Sequence, residues 1–192
     1  DLQTGELVYK PFEIVKYGNV DIAFLGIATP STATSVSPKT FQNRQGKTIY
    51  SFLPDSFFTS IQRQIDAARE QGADYVVALS HLGDLSDGEN PTSVELVGKT
   101  KGLDVVLDGH SHSVIADSMV LNVEGKPVLL ASTGTKFEYI GVLELSVEGK
   151  FTSTLVATGG VQGDAGMQKF VEDIERSAVE EGEYIVGESK VG

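Results

Sequence analysis

The chain has 192 residues, enough for one domain with a substantial hydrophobic core and a small appended segment. Its 27 acidic and 15 basic residues give a formal net charge of −12, and the sequence lacks the basic face typical of proteins that bind nucleic-acid polymers. It contains no cysteine, which excludes disulfides and thiolate ligands, so nitrogen and oxygen ligands would hold any metal ion.

The first predicted elements form a β-hairpin. Residues 6–17 partly alternate between apolar and polar side chains and predict a strand. Gly18-Asn19 predicts a turn, and the apolar run over residues 20–28 predicts the returning strand. Residues 29–46 are rich in Thr, Ser and Pro, which predicts a long ordered loop.

A helix is predicted after this loop. Residues 54–56 indicate its start, with Asp55 or Ser56 as the N-cap, and Gly72 is placed to end it. Five apolar residues between these points recur at helical spacing and predict a buried stripe: Phe57, Phe58, Ile61, Ile65 and Ala68.

Two apolar runs, at residues 75–79 and 103–107, predict buried strands. Between them, Asn90-Pro91 indicates the start of a short helix that extends through Val97. The order helix, strand, helix, strand is typical of parallel strands joined by crossover helices. The sequence therefore predicts an α/β fold.

The last part of the chain predicts two hairpins and a helix. The hairpins cover residues 120–131 and 139–157, each around a Glu-Gly-Lys turn. Apolar residues at helical spacing then predict a helix: Met167, Phe170, Val171, Ile174 and Ala178. We assign residues 1–162 to one domain and residues 163–192 to an interdomain linker helix and the start of the next domain, in which residues 184–187 begin a further element.

All three histidines follow predicted strands. His81 comes after the run at 75–79, and His110 and His112 follow the run at 103–107. In open α/β sheets, ligands bind beyond the carboxyl ends of the strands, and neutral imidazole is a common metal ligand. The three histidines are therefore candidate metal ligands. The alternative is that they only end their strands, hydrogen-bonded to the backbone or to water.

Asp108 lies between the second strand and its histidines. Its carboxylate is a candidate acceptor that would fix the tautomer of a metal-binding imidazole. The competing interpretation is that Asp108 caps the turn that follows the strand, as aspartates often do.

These motifs resemble a known family. Ser80-His81-Leu82-Gly83 followed by Asp-Gly-His-Ser-His at 108–112 resembles the second half of a calcineurin-like metallophosphoesterase. The resemblance is strongest to the 5'-nucleotidase and 2',3'-cyclic-nucleotide 2'-phosphodiesterase family, whose signature ends with a histidine after a strand and then G-H-x-H. It covers roughly residues 6–160 and includes residues 20–30, 132–134 and 139–141.

The resemblance implies a fold, a reaction and partners. The fold would be part of a four-layer α-β-β-α sandwich, and the substrate a nucleotide or cyclic nucleotide. Two divalent ions (Zn, Mn or Fe) would be bound, one by His81 and His110 and the other by His112. The partners would be the amino-terminal half of the domain and a following substrate-specificity domain. The location would be extracellular, at the cell surface or periplasmic, with any signal peptide upstream of this chain.

The family's earlier blocks, D-x-H, G-D and G-N-H-(D/E), have no counterpart ahead of His81. In the family these blocks supply the bridging aspartate, an asparagine ligand and the catalytic histidine. We therefore assign no catalytic residue within this chain and expect the isolated chain to be inactive. We also expect it to associate with itself, because removal of the missing half would leave residues 20–28 and 75–79 half-covered.

Two alternatives remain open at this point. The first alternative to the phosphoesterase interpretation is a non-catalytic binding module with a vestigial histidine metal site. The second is a mononuclear zinc hydrolase that uses the three histidines. The second alternative needs a general base, for which Asp84, Asp87 and Asp108 are the candidates.

Overall fold

The computed structural model describes residues 1–52 and 56–182. The chain divides into two compact units, with the boundary between Ala157 and Thr158. The division into 1–162 and 163–192 stays a prediction, and the element predicted at 184–187 lies outside the described residues.

The predicted amino-terminal hairpin is confirmed. β1 (Phe12–Tyr17) and β2 (Val20–Ala28) pair antiparallel around the turn at Gly18-Asn19. The first strand begins at Phe12 and not at residue 6. Pro11 directly precedes it and has no backbone N–H to donate to a sheet.

The predicted loop at 29–46 contains two short helical segments. These are α1 (Thr32–Ser35) and a 3-10 helix over Pro38–Phe41. In α1 the hydroxyls of Thr34 and Ser35 each donate to the Ser31 carbonyl at 2.9 Å, so short polar side chains support the turn locally.

The predicted amphipathic helix is α2 (Phe57–Glu70). Phe57, Ile65 and Ala68 of the predicted stripe are buried, and Gly72 has a φ of 95°, the left-handed conformation that ends many helices. Ser56 is the N-cap residue, whereas the other N-cap candidate, Asp55, lies outside the described residues.

Parallel strands form the centre of the sheet, as predicted. β3 (Tyr75–His81) pairs parallel with β2 on one side and with β4 (Val105–Asp108) on the other. The helix between them, α3 (Ser93–Lys99), begins later than the predicted start at Asn90-Pro91. A capping box sets this start.

In that capping box, the Thr92 hydroxyl accepts from the Glu95 N–H at 3.1 Å. The Glu95 carboxylate accepts from the Thr92 N–H at 3.0 Å.

Both carboxy-terminal hairpins are confirmed, and they lie in different sheets. β5 (Val114–Leu121) and β6 (Pro127–Thr133) join the main sheet, whose order is β1-β2-β3-β4-β6-β5. β7 (Tyr139–Leu145) and β8 (Phe151–Ala157) form a separate two-stranded sheet. The mixed parallel and antiparallel sheet with its helices confirms the α/β class.

The two faces of the main sheet are covered differently. One face packs against α2 and α3. On the other face, Val77 lies in a cluster covered by β7 and β8, and the Tyr75 and Phe151 rings make an edge-to-face contact at 5.1 Å. Leu79, two residues further along the same face of β3, is 47% exposed. This face is therefore covered near the start of β3 and open near its carboxyl end.

The second unit contains α4 (Ala165–Gly182), which confirms the last predicted helix. Several of its apolar side chains are exposed, among them Met167, Phe170 and Ile174. Across the described parts of the chain, no helix combines the length and apolar character needed to cross a membrane.

Candidate functional site

All three histidines lie at one edge of the main sheet. His81 is the last residue of β3, and β4, the neighbouring parallel strand, ends at Asp108. His110 and His112 lie in the connection from β4 to β5. Each imidazole-bearing residue is solvent-exposed, so this edge can meet a ligand from solution.

Two of the imidazoles are neighbours. The ring centroids of His81 and His110 are 5.1 Å apart, and the ring planes meet at 66°. A Cβ atom at Gly109 would lie 3.2 Å from His81 Nδ1, and one at Gly83 would lie 3.4 Å from His110 Cδ2. Glycine at these two positions therefore lets the two histidine-bearing segments approach closely.

The segment that carries His110 and His112 has an uncommon backbone. His110 has a φ of 79° and His112 a φ of 58°. Among the described residues, only two other non-glycine residues have a positive φ, Lys136 and Phe137. Histidine tolerates this region better than most residues, but the conformation persists only where surrounding contacts enforce it.

Asp108 caps the turn that follows β3. Its Oδ1 accepts from the N–H of Leu82 at 3.0 Å and from the N–H of Gly83 at 3.3 Å. Both partners are backbone groups and neither is an imidazole. Asp108 therefore caps a turn, but it is the turn after β3 and not the turn after its own strand. Its role as an acceptor for a metal-binding imidazole stays a prediction.

A second carboxylate follows β3 and binds side chains of the segment that follows β4. Asp84, which follows β3, accepts hydrogen bonds at 2.6 Å from the hydroxyls of both Ser111 and Ser113. Burial raises the pKa of Asp84, but these two hydrogen bonds and one from its own backbone outweigh burial, so the pKa lies below its usual value. Sequence reasoning considered Asp84 only as a base and missed both serines. The alternation of Ser and His over residues 110–113 was the available signal.

The donor chemistry of the edge fits a metal ion only in part. Two adjacent imidazoles, His81 and His110, are suitable nitrogen ligands. Within residues 1–52 and 56–182, however, no three or more His, Asp or Glu side chains are grouped so that they could hold an ion. Any complete site therefore needs ligands from outside this group.

A cavity of about 600 Å³ lies elsewhere, between the first eleven residues, the end of β2 and the start of α2. No histidine lines it.

No family model matches the chain. Three curated relatives match much of it. The trifunctional nucleotide phosphoesterase protein YfkN of Bacillus subtilis (strain 168) is 26% identical over 140 residues, which cover 73% of this chain and 8% of the relative. The 2',3'-cyclic-nucleotide 2'-phosphodiesterase/3'-nucleotidase of Yersinia enterocolitica is 27% identical over 142 residues, covering 67% and 20%.

The third relative, endonuclease YhcR of Bacillus subtilis (strain 168), is 26% identical over 182 residues, covering 92% of this chain and 14% of the relative. The chain thus spans a fifth or less of the length of each relative.

Solved structures share the fold. A 5'-nucleotidase precursor from Thermus thermophilus matches 94% of this chain and 36% of its own, with a TM-score of 0.66 and 22% identity. The calcineurin-like phosphoesterase YfkN from Bacillus subtilis matches 93% of this chain and 60% of its own, with a TM-score of 0.62 and 19% identity. The chain is related to the calcineurin-like phosphoesterases. In this calcineurin-like phosphoesterase fold, the histidine segments lie at the carboxyl ends of β3 and β4.

Proposed function

We propose that this chain supplies the second half of the catalytic domain of a metal-dependent phosphoesterase that hydrolyses nucleotides or cyclic nucleotides. The observation that carries the proposal is the adjacent pair of imidazoles, His81 and His110, at the carboxyl edge of the sheet. The names of two relatives, a nucleotide phosphoesterase and a cyclic-nucleotide phosphodiesterase, support the substrate class.

In this proposal His81 and His110 bind one divalent ion and His112 binds a second, each ion being Zn, Mn or Fe. Such a pair of ions supplies an activated water and neutralises the charge on the phosphoryl oxygens. The residues of this chain would contribute imidazole nitrogens at the carboxyl ends of β3 and β4. The remaining ligands and the catalytic histidine come from the amino-terminal half of the domain.

The proposal extends to partners and location. A following domain would select the nucleotide, and the protein would act outside the cell, at its surface or in the periplasm.

The test compares this chain with the longer protein that contains the preceding half. We expect this chain alone to release phosphate from nucleoside monophosphates and from a bis-ester at the background rate, with added Mn²⁺ or Zn²⁺. The longer protein should hydrolyse one of these substrates. Robust turnover by this chain alone, lost on His81→Gln, would contradict the proposed division of the site.

We also expect this chain alone to associate with itself. Leu79 is 47% exposed on a sheet face that carries core residues further down, and such apolar surface favours association. Sedimentation velocity should show oligomers that Leu79→Ser weakens. The matched control Leu85→Ser, at a 67% exposed loop position, should not weaken them. A stable monomer at high concentration would refute this expectation.

Asp84 and Asp87 are poorly suited to be the general base that a mononuclear zinc hydrolase would need. Hydrogen bonds from the Asn90 side chain and from the backbone N–H groups of Asn90 and Glu89 lower the pKa of Asp87 to about 2, and the pKa of Asp84 is also lowered. A general base works best when its pKa is near the operating pH.

The other alternative is a binding module. It predicts that the longer protein binds metal without turnover.

Endonuclease activity is a second candidate, favoured by the name of one relative. A net charge of −12 weighs against it, because polymer binding depends on neutralising many phosphates with basic side chains. Single- and double-stranded DNA in the same assay would test this candidate directly.

A further inference from the structure

We propose that Asp84 is a positioning residue that holds the segment 110–113 against the end of β3. The inference builds on the proposed function, since it explains how His110 and His112 are presented to a ligand. It concerns only contacts within this chain, so it can be tested without metal or substrate.

The contacts join two segments that are far apart in sequence. Oδ1 of Asp84 accepts from the Ser111 and Ser113 hydroxyls at 2.6 Å each, and the two hydroxyl oxygens are 3.1 Å apart. The Asp84 N–H also donates to the Ser111 hydroxyl at 3.4 Å. Hydrogen bonds to a charged acceptor are about twice as strong as neutral ones.

The serines alternate with the histidines, which is why the contacts control ring position. Ser111 lies between His110 and His112, and Ser113 directly follows His112. Fixing both hydroxyls on one oxygen fixes the peptides on either side of His112 and the peptide that follows His110.

The backbone at both histidines needs such support. Residues in sparsely populated backbone regions cost of order 1–3 kcal/mol each and persist only where their surroundings over-determine them. His110 and His112 both have a positive φ, and Asp84 is the charged group that binds the side chains between and after them. Without these bonds, we expect the segment to relax and the imidazoles to move.

The carboxylate at or after the end of each strand binds the segment that follows the other strand. Asp108, at the end of β4, binds the backbone after β3, whereas Asp84, after β3, binds the side chains after β4. The first carboxylate shapes the turn that follows His81, and the second positions His110 and His112.

The test uses the imidazole signals in a ¹H–¹³C correlation spectrum of this chain. With only three histidines, the spectrum contains three imidazole Cε1–H signals, which single His→Gln variants assign; these are the ring signals compared below. In Asp84→Ala we expect the signals of His110 and His112 to shift and broaden, with a smaller shift at His81. Asp84→Asn should restore most of the wild-type spectrum, because its amide oxygen still accepts a hydroxyl proton.

The matched control is Asp87→Ala. Asp87 is a carboxylate of the same loop, but it binds Asn90 and the N–H of Glu89 and not the histidine segment. This variant should leave all three ring signals in place. Should Asp84→Ala fail to fold, the double variant Ser111→Ala/Ser113→Ala removes the same bonds and should give the same shifts.

Unchanged His110 and His112 signals in Asp84→Ala, or in the double serine variant, would overturn the inference. Equal shifts in Asp87→Ala would also overturn it. A zinc titration separates this inference from the proposed function. If zinc moves no ring signal of His81, His110 or His112 in the longer protein that contains the preceding half, while Asp84→Ala does move them in this chain, the metal proposal loses its support and the positioning role stands.

Discussion

Replacing His110 with glutamine in the longer protein should lower kcat/KM about 100-fold or more, since metal-assisted stabilisation of the transition state is worth several kcal/mol and each 1.36 kcal/mol is tenfold in rate. Glutamine is similar in reach but lacks the imidazole nitrogen. The ring of His110 lies next to that of His81, so both are expected to act on the same ion. Initial rates with a nucleotide substrate would measure the effect.

The double variant sharpens this prediction. The losses of activity caused by substituting residues that act as a unit do not add. His81→Gln/His110→Gln should therefore lose little more activity than either single variant. Glu89→Gln, an exposed position in the loop after β3, is the control and should retain wild-type activity. A His110→Gln protein that is folded and within tenfold of wild type would contradict the proposed role.

Gly102→Ala is expected to destabilise the chain by about 2–4 kcal/mol, from about 1 kcal/mol of left-handed backbone strain and about 1–3 kcal/mol of overpacking. Gly102 has a φ of 87°, and a Cβ atom there would lie 2.9 Å from Cγ2 of Ile65. Ile65 is fully buried in the core and cannot easily move away. Urea unfolding followed by circular dichroism would measure the change.

Gly125→Ala separates the backbone strain from the overpacking. Gly125 has a φ of 75° at a hairpin turn, and nothing lies within 4 Å of its added Cβ. It should cost only the backbone strain, about 1 kcal/mol. Equal losses in the two variants would show that the contact with Ile65 adds nothing.

Much of the fold was predictable because its signals are local. The runs at 75–79 and 103–107 predict buried strands, and Glu-Gly-Lys turns predict both late hairpins. The start of α3 was also readable, since Thr92 and Glu95 have the spacing of a capping box, although the prediction chose the Asn-Pro pair before them.

The site was predictable only in part. Histidines after apolar runs indicate a strand-end location, because the carboxyl ends of parallel strands share one edge. The contacts of Asp84 with Ser111 and Ser113 depend on the register between β3 and β4, which brings together residues 27 and 29 positions apart. Neither that register nor the positive φ at His110 and His112 is encoded in a local pattern.

The topology implies an order of assembly. The hairpins β1–β2 and β5–β6 join neighbouring stretches, and isolated hairpins form in about 1–10 μs. Pairing β2 with β3 closes a loop of 53 residues, and pairing β3 with β4 closes one of 28. Closing such loops costs conformational entropy before the paired strands gain any stabilising contact. We therefore expect the parallel strands to pair later than the hairpins. The histidine edge is accordingly expected to form after the hairpins, so that the His81–His110 pair would report a completed parallel core.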